Sequence, residues 1–146
     1  FMEIDEEMIP TGRKMMVEGT PMDFRRAKSI FRDIDADDAQ INIAGGYDHN
    51  FVINGNGFRK FAELSTTVDG VWMRAYTDRP CVQFYSGNFL EKIAVHGGVI
   101  IGKRCGLCLE TQGYPNSMNV GDVEADLLKA GEEYRSKTQF LFGEFC

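Results

Sequence analysis

Apolar and polar positions alternate over short runs along most of this chain, and each run is closed by a turn signal. Phe51 to Ile53, Phe58 to Leu64, Val71 to Thr77, Cys81 to Phe89, Val99 to Ile101, Leu107 to Gln112 and Thr138 to Phe142 carry the aromatic and β-branched content of strands. No helical period is sustained. Two stretches, Arg25 to Phe31 and Gly121 to Ala130, the latter with Val123, Leu127 and Leu128 near helical spacing, are open between helix and loop. The pattern predicts an all-β chain, an antiparallel β-sandwich.

Turn chemistry orders these runs. Asn54-Gly55-Asn56-Gly57 separates two of them with residues that tolerate positive φ, which predicts a hairpin. Asp69-Gly70 separates the next pair, and Asp78-Arg79-Pro80 turns the chain again, so that the four runs from Phe51 to Phe89 read as a meander. Gly97-Gly98 marks a loop, with His96 solvated beside it. Gly113-Tyr114-Pro115-Asn116 ends the run that contains Glu110. No repeat and no Pro-rich or Ser-rich linker divides the 146 residues, so a domain boundary inside the chain is not expected.

Charge excludes one class of partner. Sixteen basic residues against 22 acidic ones give a net charge of −6, and the basic residues are scattered, which argues against nucleic acid. No apolar run is long enough to span a bilayer and no secretory leader is visible, so the expected setting is cytoplasmic, reducing and away from membranes. Four cysteines stand at 81, 105, 108 and 146. Cys105 and Cys108 have CxxC spacing, but in an extended segment their Cα atoms would lie about 10 Å apart on opposite faces, beyond disulfide reach. With only His49 and His96 to add, zinc is not expected either.

The candidate chemistry lies in the same alternation. Cys108, Glu110 and Gln112 share one strand face, which puts an acid and an amide together, and a half-buried carboxylate there would be a proton-transfer group. Gln83 shares a face with Cys81 and Tyr85, of which Tyr85 reads as core. Asp48 and His49 are neighbours in an extended run and point to opposite faces, so Asp48 is expected in a pocket and His49 behind it as a hydrogen-bonded structural partner.

Five motifs in order carry a resemblance along nearly the whole chain: Ile9-Pro10-Thr11-Gly12, Gly19-Thr20-Pro21-Met22-Asp23-Phe24, Gly46-Tyr47-Asp48-His49-Asn50-Phe51, Val82-Gln83-Phe84-Tyr85-Ser86-Gly87-Asn88-Phe89 and Leu107-Cys108-Leu109-Glu110-Thr111-Gln112. They are followed by Ala130-Gly131-Glu132-Glu133-Tyr134 and a closing run from Thr138. In these the chain resembles the C-terminal half of an aldose 1-epimerase, the galactose mutarotase family. The resemblance implies the family's β-sandwich, of which residues 1–146 would be the C-terminal part, with the N-terminal half lying elsewhere.

It also implies an activity: interconversion of the α and β anomers of free hexoses such as galactose and glucose. A base takes the proton of the C1 hydroxyl while an acid protonates the ring oxygen, and no cofactor or metal is needed. By resemblance Glu110 is the general base, and Asp48 and Gln83 bind the substrate. The family's acid histidine, its second pocket histidine and an Asn-Arg pair belong to the N-terminal half. The chain by itself is therefore expected to be inactive, and to associate with itself or with that half through exposed sheet edges. Cys81 stands where the family usually has glycine and is expected to crowd the pocket rim. The alternatives are a hexose-6-phosphate 1-epimerase, for which Arg74, Arg79 and Arg104 would have to converge on a phosphate, and a non-catalytic carbohydrate-binding sandwich.

Overall fold

The computed structural model describes residues 1–66, 68–121 and 126–145. Among these residues ten strands form in chain order: β1 (Met2–Ile4), β2 (Pro10–Lys14), β3 (Asp48–Val52), β4 (Arg59–Ser65), β5 (Val71–Thr77), β6 (Cys81–Tyr85), β7 (Ile93–Ala94), β8 (Ile100–Ile101), β9 (Cys108–Gln112) and β10 (Thr138–Glu144). All pairings are antiparallel. Two three-stranded sheets, β10-β5-β4 and β3-β6-β9, make the body, and the pairs β1-β2 and β7-β8 flank them. The all-β reading of the sequence holds.

The meander does not. The strands on either side of Asn54-Gly57 lie in different sheets, β3 beside β6 and β4 beside β5, so this turn is a crossover between sheets and no hairpin. The connection is six residues long and lets the strands diverge. Arg59 fixes it, donating to the carbonyls of Ile53, Asn54 and Gly57 in the loop and of Thr77 on β5. The Asp69-Gly70 turn does join a hairpin, β4 to β5. At the other end the hydroxyl of Thr138 bridges those of Thr77 and Thr111, linking β10 and β5 to β9.

The one α-helix among the described residues, α1 (Ala39–Ala44), was hidden from the periodicity by its brevity. Its caps were readable. Asp38 accepts from the backbone N–H groups of Gln40 and Ile41, and Gly45 closes the helix at φ 63° in the left-handed region. The ambiguous stretch from Arg25 ends in a short 3-10 turn, Ile30–Arg32. The second ambiguous stretch lies partly outside the described residues, and 126–130 are irregular.

One face of the β3-β6-β9 sheet makes the core. Phe84, Phe51 and Leu109 pack there against Tyr47, Met22, Ile34 and Ile41. Tyr47 stacks on Phe84 at 5.3 Å between centroids, and Phe24 meets Phe84 edge-on at 5.5 Å. The long strandless segment from Met15 to Asp38 thus serves as a lid on the sheet, inserting Met22, Phe24 and Ile34.

A buried polar knot sets where β3 begins. The Ser86 hydroxyl accepts from the Tyr47 N–H at 3.0 Å and donates to Asn88 Oδ1 at 2.7 Å, while the Asn88 amide donates to the carbonyls of Ala44 and Tyr47. Gly46 takes φ 140°, and a Cβ there would run into the Asn88 side chain. This knot is also why the expected strand from Cys81 to Phe89 stops at Tyr85: Ser86 and Asn88 turn inward to serve the Gly46-Tyr47 bend.

Candidate functional site

Register places the site. In the β3-β6-β9 sheet Asn50 lies opposite Gln83 and Gln83 opposite Glu110, and this row is flanked on its face by Asp48, Tyr85 and Cys108 on one side and by Val52, Cys81 and Gln112 on the other. Directly opposed residues share a face, so these nine side chains all leave the side of the sheet that the core does not use. The two intervening rows, His49, Phe84 and Leu109, and Phe51, Val82 and Thr111, take the other face, where Phe51, Phe84 and Leu109 join the core.

Above the outward face lies a cleft of about 380 Å³, lined by Asp48, Asn50, Gln83, Tyr85, Glu110 and Gln112 from the sheet. Ile4, Met8 and Pro10 from the β1-β2 hairpin wall it on one side, together with Pro115. The volume falls in the range of small-molecule sites, about 300–1,000 Å³. Three strands therefore bring Asp48, Gln83 and Glu110 into one cavity, although 62 residues separate the first from the last. The Gln83 amide donates to Asp48 Oδ1 at 2.7 Å, which fixes both side chains. Two strand spacings, on the order of 10 Å, separate the Asp48 and Glu110 backbones with Gln83 between them.

Several details depart from the sequence reading. Glu110 is exposed and opens onto the cleft, so it is not the half-buried carboxylate that alternation suggested. Its strand lies at the edge of the sheet, with the β6 neighbour on one side only. Tyr85 is a cleft side chain and not core; its hydroxyl accepts from the Phe89 N–H at 2.9 Å and its ring stacks on Phe89. Cys81 is fully buried and lies outside the cleft lining, so it does not crowd the rim. Burial pushes its thiol up to about 11. Cys105 sits in a turn and not in the strand that begins at Cys108, and both carry free thiols. Burial, the Glu110 carboxylate beside it and, further off, Asp48 raise the pKa of the Cys108 thiol.

His49 takes the place expected of it. It is completely buried on the core face, its Nδ1 accepts from the Asp48 N–H at 3.2 Å, and its ring meets Phe1 edge-on. Burial lowers its pKa from 6.5 to about 4, so the ring is neutral at physiological pH. His96 lies exposed in a short 3-10 turn, His96–Gly98.

With the geometry in place, the likenesses to known proteins become specific. The family profile described as aldose 1-epimerase matches residues 1–141. The chain belongs to the aldose 1-epimerase family. It is 38% identical over 144 residues to the galactose mutarotase of Mus musculus, which covers 97% of this chain and 41% of that protein. The aldose 1-epimerase of Escherichia coli K12 is 36% identical over 146 residues, covering 97% of this chain and 42% of its own length. The chain thus spans about two fifths of the length of these relatives.

Solved structures agree on the family's fold. The chain superposes with a TM-score of 0.80 on an aldose epimerase homologue from C. elegans, at 21% identity and over 99% of this chain and 43% of that one. Galactose 1-epimerase from Lactobacillus acidophilus gives 0.73 at 29% identity, over 98% and 41%. The antiparallel sandwich is the part of the family fold that this chain builds.

Gln112, read from the sequence as the amide on Glu110's face, does line the cleft, whereas Asn50 was not singled out. Asn50 reaches the cavity by the same alternation that places Asp48, two positions along the strand, and its signal was hidden by the more conspicuous Asp-His pair beside it.

Proposed function

We propose that this chain forms the base-bearing part of a mutarotase cleft that interconverts the α and β anomers of a free hexose such as galactose or glucose. The observation that carries the reading is the register of β3, β6 and β9, which aligns a carboxylate, an amide and a second carboxylate over one open cavity. Glu110 takes the proton from the C1 hydroxyl. The ring oxygen gains a proton from an acid, the C1–O5 bond breaks, the aldehyde rotates about C1–C2, and closure from the other face returns both protons. Asp48 and Gln83, already joined to each other, accept and donate hydrogen bonds to ring hydroxyls and so hold C1 near Glu110.

The acid is the missing group. Among the described residues no imidazole lines the cleft: His49 faces the core and His96 lies in its own exposed turn. The proton for the ring oxygen is accordingly supplied from outside this chain, by the remaining three fifths of a full-length family member. Polarimetry on fresh α-galactose and α-glucose tests this. The chain alone is expected to leave the spontaneous rate unchanged, and a polypeptide that joins it to that remainder is expected to accelerate it; acceleration by neither overturns the assignment.

An unphosphorylated sugar is favoured over a hexose phosphate. Arg74 pairs with Glu63, Arg79 with Asp126 and Arg104 with Asp35, and none of the three lines the cleft. A larger open depression over residues 18–33 holds Arg25, Arg26, Lys28 and Arg32 together with Glu18, Asp23 and Asp33; Arg25 pairs with Glu18 and Asp23, and Lys28 and Arg32 share Asp33.

The same division of the fold accounts for a partner surface. On one face of the β10-β5-β4 sheet, Phe140 and Phe142 stand in rows with Ala75, Met73, Ala62 and Leu64. Phe140 is 42% and Phe142 68% exposed, and β10 is an edge strand among the described ones. The isolated chain is expected to self-associate in light scattering, and the remainder of the family fold is expected to return it to a single species. A monodisperse monomer of the isolated chain would count against this.

A further inference from the structure

Asn50 is 1% exposed, and both its amide nitrogen and its carbonyl oxygen lack a hydrogen-bond partner among the described residues. Leaving a buried donor and a buried acceptor unmade costs about 1–3 kcal/mol for each group, and native folds avoid it. Among the described residues the others left so are single nitrogens, His49 Nε2, Arg79 Nε and Arg104 Nε, whereas Asn50 leaves its whole amide unmade. Asn88, equally interior, has its Oδ1 satisfied by Ser86 and its amide by two backbone carbonyls. An asparagine kept for structure looks like Asn88, and Asn50 does not.

Its position says what it is for. Asn50 lines the cleft, directly opposite Gln83 in the row that ends at Glu110. Gln83 does not relieve it: its amide nitrogen is turned to Asp48, and neither polar atom of Asn50 is bonded to it. The facing wall of Ile4, Met8 and Pro10 offers no polar side chain. We propose that Asn50 is a further substrate-binding residue of this cleft, its amide donating to and accepting from a sugar hydroxyl that settles beside Gln83. The inference rests on reading the cleft as a sugar site.

Chemistry narrows the ligand. A hydroxyl is donor and acceptor at once and satisfies both orphaned groups; a carboxylate or phosphate would satisfy only the nitrogen, and an ammonium only the oxygen. The site is therefore matched to a neutral polyol. Met8 on the facing turn lines the same cleft, and its unbranched side chain repacks at low cost when a ligand enters.

A substrate contact and a structural asparagine respond oppositely to Asn50→Leu, which keeps the volume and removes the polar atoms. The substitution is expected to leave unfolding stability equal or higher, because it deletes two unsatisfied groups. It is expected to weaken D-galactose binding about three- to tenfold, the size of one or two lost hydrogen bonds. In the 15N-labelled chain titrated with D-galactose, the side-chain amide resonances of Asn50 and Gln83 should move together with one midpoint. Movement at Gln83 with Asn50 silent, or unchanged affinity in the leucine variant, overturns the role of Asn50 while leaving the cleft reading in place. Silence at both overturns the two together. If the leucine variant fails to fold, the Asn50 resonance of the unsubstituted chain, assigned through its backbone, decides alone.

Discussion

Glu110→Gln, made in the full-length polypeptide, is expected to slow anomer exchange by about 10²–10⁴-fold, the span that general acid–base catalysis contributes. Glutamine keeps the shape and can still hydrogen-bond a hydroxyl, but its amide does not take a proton at neutral pH. Galactose affinity should therefore stay within about twofold, because the lost interaction belongs to proton transfer and not to ground-state binding. Polarimetry gives the rate and calorimetric titration the affinity. Retained exchange in the variant would remove Glu110 from the role of base. A matched loss of affinity would instead make it a binding residue. The position of Glu110 opposite Gln83, on a strand edge that faces open space, suits a group that has to meet a mobile proton.

The second large effect concerns His49 and acid. Its folded pKa, about 4, lies below the 6.5 of the free side chain because burial penalises the charged ring, with Asp38 opposing weakly from a distance. A depressed folded pKa means that the unfolded chain binds the proton first. The stabilisation is complete above pH 6.5 and drains away as pH falls towards 4. The slope reaches about 1.4 kcal/mol per pH unit, for a total of about 3 kcal/mol. Urea unfolding measured from pH 7 to pH 4 should show this decline, and His49→Leu should flatten it, even if the variant starts from a lower value for want of the Asp48 N–H bond. Asp23 and Asp33, held near 2 by Arg25 and by Arg32 with Lys28, titrate below this window. The Phe1 amino group, lowered from 8.0 by burial, adds a decline of the same sign that both proteins share, so the difference between the two slopes is the His49 contribution. Equal slopes in the two proteins would refute the assignment.

The candidate site was more legible in the sequence than the topology was. Alternation along a strand is local, so the outward direction of Glu110, Gln83 and Asp48 and the inward direction of His49 follow from counting by two. Which strands are neighbours is not local. An Asn-Gly turn reads the same whether it closes a hairpin or carries the chain to another sheet, and here Arg59 and the sheet partners of β3 and β4 decide for the crossover. Tyr85 shows the same limit. A phenol beside an amide fits a core and a cleft equally well, and only the placement of the β1-β2 hairpin on one side of the sheet, with the Met22 and Phe24 segment on the other, makes it a cleft wall.

The amino-acid sequence alone determined most of the strand content, the faces, the family and the three candidate residues that the cleft brings together, because each of these is written in local period and motif order. Only the tertiary structure decided that β6 lies between β3 and β9. That arrangement closes the distance between Asp48 and Glu110 to two strand spacings, and it leaves Asn50 buried at the cleft without a partner among the described residues. Long-range pairing depends on which hydrophobic faces bury one another, and that choice belongs to the whole chain and not to any window of it.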